Sequence, residues 1–134
     1  MFQQCYSLKN VNLTKGIKRI DKDAFTNCTS LKGLTIPDSI TYIGENAFKG
    51  CDFLVSIDIP GSVETIDSYA FVYCTNLKVI RLPSTLRKCP GLGQCRSLTD
   101  VYFAGTEEEY NNLQGKGKIN LNIDEKKVTL HFSE

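Results

Sequence analysis

The chain has 134 residues, a single histidine, four prolines and a formal net charge of only +1. Each shortage removes a class of function. A charge balance this even supplies no field to hold a nucleic-acid backbone or an anionic bilayer. No apolar run approaches the roughly 20 residues that a membrane-crossing helix requires. The opening segment, "MFQQCYSLKN", has neither the basic end nor the apolar stretch of a secretory leader. His131 stands in an alternating segment near the end of the chain with no nucleophile close to it in sequence, so it reads as a solvent-facing strand residue. There is no glycine-rich phosphate loop, no G-x-S-x-G elbow and no paired-carboxylate motif, which argues against an enzyme and against a cofactor.

Cysteine, by contrast, is plentiful, with six residues, and its spacing is the key to the chain. Cys5, Cys28, Cys51 and Cys74 recur at intervals of 23, and Cys95 follows after 21. No paired C-x-x-C spacing of the zinc-binding kind exists, so no metal site is expected. Three residues after these cysteines stand Leu8, Leu31, Leu54, Leu77 and Leu98. Further apolar columns are Val11, Leu34, Ile57, Ile80 and Val101, then Leu13, Ile36, Ile59, Leu82 and Phe103. Two more are Ile17, Ile40, Val63 and Leu86, then Ile20, Ile43, Ile66 and Cys89. An aromatic column holds Phe25, Phe48 and Phe71, with Leu92 in a shortened fourth repeat that carries Pro90-Gly91.

Self-similarity at such a period, with L-x-x-L-x-L inside it, predicts a leucine-rich-repeat solenoid. Within one repeat the L-x-L alternates with period two, giving a short strand with one face inward. The rest of the unit returns the chain over the outside through short helical or irregular turns. One coil cannot bury its own apolar residues; stacked coils let each column touch its copies at the strand spacing of about 4.8 Å. The expected fold is an α/β solenoid of about five coils, with a parallel sheet on the concave face, strands ending at Pro37, Pro60 and Pro83, and a C-terminal cap. Residues 1–106 form the solenoid and residues 107–134 the capping helix and strands of the same domain. Thr106 and Glu109 fit a capping box, and Ile119, Leu121, Ile123 and then Val128, Leu130, Phe132 alternate as a hairpin or last strand. Stacked cysteines have parallel Cα–Cβ vectors unsuited to a disulfide, so a ladder of free, buried thiols is expected.

The motif L-x-x-[IL]-x-I-P-x-S-[IV]-x-x-I-x-x-x-A-F-x-x-C, nearly complete in "PDSITYIGENAFKGC", resembles the BspA-like, or treponemal-type, leucine-rich repeats over about residues 1–106. "VYFAGTEEEYNNL" resembles the closing segment of such proteins in Firmicutes-type gut bacteria. The resemblance implies a bacterial extracellular or cell-surface module, secreted or anchored, that adheres to proteins or cells. It names no ligand, because the motif residues are the buried ones.

Recognition is therefore expected in the outward strand positions, which change from repeat to repeat while the core does not. The candidate binding column on the concave face is Asn12, Thr35, Asp58, Arg81 and Tyr102, with Asp58 and Arg81 side by side. The partner class is a protein or cell-surface ligand, with neither nucleic acid nor membrane insertion. The alternative is a structural spacer that self-associates through its first coil, because the chain opens inside a repeat. That opening points either to repeats upstream or to another chain covering the edge.

Overall fold

The computed structural model describes residues 2–88, 92–113, 122–123 and 126–133. The Phe-x-x-Cys signature explains why the coils stack. The rings of Phe2, Phe25, Phe48 and Phe71 lie parallel with centroids 5.3–5.4 Å apart. Beside them each cysteine thiol reaches back one coil to a phenylalanine carbonyl. Cys28 Sγ donates to Phe2 at 2.9 Å, Cys51 to Phe25 at 3.3 Å, Cys74 to Phe48 at 3.1 Å and Cys95 to Phe71 at 3.1 Å. Cysteine is thus small enough for the column and gives a carbonyl that already accepts one backbone N–H a second partner, which leucine or alanine would not. The backbone is tied in the same place: Phe25 N–H donates to Ala47 and Phe48 N–H to Ala70, both at 2.7 Å. The residue before each cysteine (Gln4, Asn27, Gly50, Tyr73, Gln94) takes a left-handed φ of 58–73°, which makes the corner. Gly50 takes this conformation without side-chain strain, and a Cβ there would lie 2.3 Å from the Asn27 side-chain oxygen, which would have to swing aside.

The strands expected from the L-x-L pairs are β1 (Asn10–Asn12), β3 (Gly33–Thr35), β5 (Ser56–Asp58), β7 (Val79–Pro83) and β8 (Asp100–Ala104). β1 pairs with β3, and β5, β7 and β8 pair in turn, all in parallel and in the register of the repeat, with Val11 beside Leu34, Ile57 beside Ile80 and Ile80 beside Val101. The return segments carry the expected irregular turns. They also contain two-residue strands that the sequence did not show, β2 (Arg19–Ile20), β4 (Tyr42–Ile43) and β6 (Thr65–Ile66), which form a second parallel sheet in the order β2-β4-β6. The physical reason is the inward Ile20, Ile43 and Ile66 column: an extended segment carries the chain across the back of each coil and stacks isoleucine on isoleucine. After Pro37, Pro60 and Pro83 the chain turns, with the N–H groups of Ile40, Val63 and Leu86 donating back to the proline carbonyls.

Between the two sheets the predicted apolar columns of the middle coils are buried, including Phe25, Phe48, Phe71, Ile40, Val63, Leu31, Leu54 and Leu77, with Leu34 only partly so. In the first coil, Phe2, Leu8, Val11, Leu13 and Ile17 pack on that core but stay partly exposed. At the other end α1 (Glu107–Asn111) begins with the full capping box, Thr106 Oγ1 accepting from Glu109 N–H at 3.1 Å and Glu109 Oε2 from Thr106 N–H at 2.7 Å. Tyr110 on this helix meets Phe103 and Phe132 edge-on, closing the end of the core with aromatic rings. The backbone of β9 (Asn122–Ile123) pairs antiparallel with β10 (Lys126–Lys127), and β11 (Thr129–Phe132) continues the parallel stack on β8. Both readings of the terminal alternation therefore apply, to different pieces of it. Cys89, Pro90, Gly91, Ile119 and Leu121 lie outside the described residues.

His131, on β11, lies beside Tyr102, and its Nε2 is 2.7 Å from Asp100 Oδ1 on β8. Hydrogen bonds from Thr99 and from His131 hold the Asp100 carboxyl below its ordinary 3.8. A lowered carboxylate contributes stability above its unfolded value and loses it as pH falls through the lowered one.

These contacts generate three predictions. Phe48→Ala, which empties the middle of the ring stack, costs about 3–5 kcal/mol of folding stability in denaturant titration; a loss below about 1 kcal/mol would place this ring outside the core. Cys28, Cys51, Cys74 and Cys95 are free and buried, and burial pushes the Cys51 thiol up to about 12. Contact with the Cys95 thiol and burial likewise hold Cys74 well above 9.0, whereas the same contact lowers Cys95, which its burial alone keeps from a reagent. At about pH 8 these four stay silent to a thiol reagent in the native protein, while the half-buried Cys5 reacts first. Unfolding without reductant raises the titre towards all six cysteines, and sulfurs that stay silent then would be disulfide-bonded. In a carboxyl-carbon NMR titration, Asp100 has its midpoint below 3.8 and the midpoint rises in His131→Ala; an unchanged midpoint would remove His131 from the anchoring of β11.

Candidate functional site

The strand register brings the predicted binding column together in two pieces. Asn12 and Thr35 are partners on β1 and β3; Asp58, Arg81 and Tyr102 are successive partners on β5, β7 and β8. All five side chains are exposed, as expected of positions that alternate with Val11, Leu34, Ile57, Ile80 and Val101. Between Thr35 and Asp58 the sheet is interrupted, so the two pieces belong to separate ladders.

The longer piece is a continuous chain of contacts. Arg81 Nη1 lies 3.3 Å from Asp58 Oδ1, and the guanidinium carbon sits 4.9 Å from the Tyr102 ring centroid. The other face of the column is extended by His131, whose ring is stacked on Tyr102 at 4.3 Å and 10°. Carboxylate, guanidinium, phenol and imidazole thus stand in a row, each limiting the rotamers of the next. Because the groups are solvated, each pair contributes on the order of 0.2–1 kcal/mol, so the row orders the surface more than it stabilises the fold. The Tyr102 ring is flanked by Arg81 on one side and His131 on the other, which leaves the ring edge, its hydroxyl and the guanidinium as the groups a ligand can meet. A depression of about 250 Å³ opens at this end, lined by Arg81, Tyr102, His131 and Ser133 among others.

Sequence reasoning missed His131 as a member of this row, because its segment follows the last recognisable repeat and its register on β8 is a tertiary fact. It also missed a second row, on the face of β2, β4 and β6. There the Arg19 guanidinium lies 3.9 Å over the Tyr42 ring, the Tyr42 hydroxyl donates to Asp67 Oδ2, and Lys88 Nζ stands 3.8 Å from Asp67 Oδ1. The hydrogen bond to Asp67, aided by desolvation, pushes the Tyr42 phenol above its ordinary 10.0. The signal for it was present in Arg19, Tyr42, Thr65 and Lys88, each one residue before the inward column of Ile20, Ile43, Ile66 and Cys89. Among the described residues no group of three or more His, Cys, Asp or Glu side chains is arranged to hold a metal ion. No described helix is long and apolar enough to cross a membrane.

Three solved structures of bacterial proteins share this architecture. A leucine-rich repeat protein from Bacteroides ovatus superposes with a TM-score of 0.79 at 30% identity, over 100% of this chain and 32% of its own. A leucine-rich repeat protein of T. pallidum matches with a TM-score of 0.68 at 28% identity, over 90% of this chain and 58% of its own. A leucine rich cell surface protein from Faecalibacterium prausnitzii shares the fold, with a TM-score of 0.66 at 24% identity, over 78% of this chain and 34% of its own. The chain thus spans about a third of the length of the Bacteroides and Faecalibacterium proteins. No curated protein matches it. Residues 1–113 match six copies of the BspA type leucine rich repeat region. With its repeat register, its Phe-x-x-Cys stacking and this match in agreement, the chain belongs to the BspA-type leucine-rich repeat family.

Proposed function

We propose that this chain is a non-enzymatic protein-interaction module of a bacterial cell-surface or secreted leucine-rich repeat protein, and that it binds through the outward face of the β5-β7-β8-β11 sheet. The observation that carries this reading is the Asp58–Arg81–Tyr102–His131 row. Its residues belong to no packing column, differ in type at every coil and are nevertheless held in a defined arrangement. Arginine and tyrosine are the side chains most enriched where interfaces derive their affinity. Family membership supports the interaction class, since solenoids of this kind bind through their exposed sheets. Surface location is proposed on the family match.

A second reading, a self-associating spacer, is favoured by the first coil, where Leu8 and Ile17 are partly exposed although their counterparts Leu31 and Ile40 are buried. Scattering or sizing over a range of concentrations separates the two: a mass that grows with concentration supports the spacer.

The binding reading predicts a separation of affinity from stability. Replacing Arg81 and Tyr102 together by Ala shifts the melting temperature by only a few degrees, because both lie outside the core. The same variant loses most binding to immobilised host matrix proteins and to epithelial cells, measured against the parent. Glu45→Ala, which removes only the exposed contact with Lys22 on the other side of the coil, binds as the parent does. Undiminished binding by the double variant moves the site to another face, and absence of binding by the parent supports the spacer.

A further inference from the structure

One junction in the solenoid is built unlike the others. At the entry to each strand of the long-strand face, an N–H donates to the coil before: Lys32 to Lys9 at 2.8 Å, Lys78 to Val55 at 2.7 Å, Thr99 to Lys78 and Thr129 to Thr99 at 2.9 Å. The corresponding bond from Val55 to Lys32 is missing, and β3 and β5 do not pair, although the same 23-residue offset would bring Leu34 beside Ile57. A cleft of about 410 Å³ lies between the two strands, lined by Leu34, Thr35, Ile57 and Asp58 among others. Facing strand edges with unpaired backbone groups are an arrangement that proteins resolve by pairing or by hydration.

The opposite wall of the same two coils is intact. Tyr42 and Ile43 pair with Thr65 and Ile66, the Phe25 and Phe48 rings stack at 5.3 Å, and Cys51 Sγ donates to the Phe25 carbonyl. Beside the cleft the coils are joined at a corner, where Phe53 N–H donates to the Thr29 carbonyl at 3.2 Å and the Lys32 ammonium lies 5.5 Å over the Phe53 ring.

We propose that the junction between β3 and β5 is a conformational joint. The phenylalanine and cysteine columns and the β2-β4-β6 sheet act as its hinge, and the long-strand face opens and closes at the cleft. In the closed state Gly33, Leu34 and Thr35 pair with Ser56, Ile57 and Asp58 in the register that the other coils already use. The motion changes the angle between the Asn12–Thr35 piece of the exposed column and the Asp58–His131 piece. A ligand that touches both pieces selects one angle, whereas a ligand confined to the second piece leaves the joint free. The joint is a property of the stacking and stands independently of which face binds a partner.

Amide hydrogen exchange read residue by residue tests it without a ligand. The Val55 amide exchanges about tenfold or more faster than its counterparts Lys32, Lys78 and Thr99, because opening at this junction requires no ladder bond to break. The double variant Thr35→Cys, Asp58→Cys is treated with a short bis-alkylating thiol reagent, which joins parallel side chains on paired strands without the torsion that a direct disulfide needs; the bridge is detected as one linker added per chain by mass spectrometry and located by peptide mapping. Both positions are exposed, so the variant folds, and in its cross-linked form the Val55 rate falls into the range of the counterparts. Val55 protected as well as Lys78 in the parent would overturn the joint. Failure of a folded, reduced variant to cross-link would overturn it too, by showing a gap that does not close.

Discussion

Everything in this molecule depends on contact between identical positions of successive coils, and the contact with the strictest geometry is the phenylalanine ring stack with its thiol-to-carbonyl bond. A ring centroid spacing of 5.3 Å is close to the strand spacing, so the rings can lie flat on one another only while the backbone above and below keeps step. The thiol of Cys51 or Cys74 fills what space remains beside the ring and accepts no substitute of larger size. The register of the short strands on both faces follows from this inner wall. Two- and three-residue strands would not hold a register alone; here they inherit it from the columns.

That division of labour leaves the outward positions free of structural duty. On one face they carry Asp58, Arg81, Tyr102 and His131, on the other Arg19, Tyr42, Asp67 and Lys88. Both rows combine a tyrosine ring, a guanidinium on a neighbouring coil and a carboxylate, which meets the guanidinium in the first row and the tyrosine hydroxyl in the second. Solvent weakens each contact, yet in a stack each side chain has a neighbour above and below, so several weak contacts order one surface. Stacking also sets what such a surface can offer. A ring covered on its faces presents an edge and a hydroxyl, which suits hydrogen-bonding partners better than flat apolar ones.

Strong inner columns also permit local failure elsewhere. Between β3 and β5 the long-strand ladder is absent while rings and thiols continue without interruption. A globular fold that lost a central strand pairing would lose its core. A solenoid keeps its neighbours, because each coil contacts only the next and the opposite wall carries the stack.

The legibility of this protein from its residues divides along the same line. Repeat periodicity determined the solenoid, the inward columns, the strand pairs Val11–Leu34 and Ile57–Ile80 and the free cysteine ladder, because these are set by contacts between copies of one pattern; the Thr106 cap was legible as a local Thr-x-x-Glu motif. The second sheet was only half legible: Ile20, Ile43 and Ile66 showed that the return segment points inward, but two-residue strands have no periodicity of their own. What the tertiary structure alone decided lies where the pattern is broken or has ended. His131 joined the exposed row because β11 settles on β8 in one register of several that its alternation allows. The gap at β3 and β5 arose although Leu34 and Ile57 sit in the right columns, since pairing there is a balance between coil-to-coil forces that a repeat sequence specifies only on average. Sequence repetition determines which residues stack; the geometry of each individual junction decides how closely they do so.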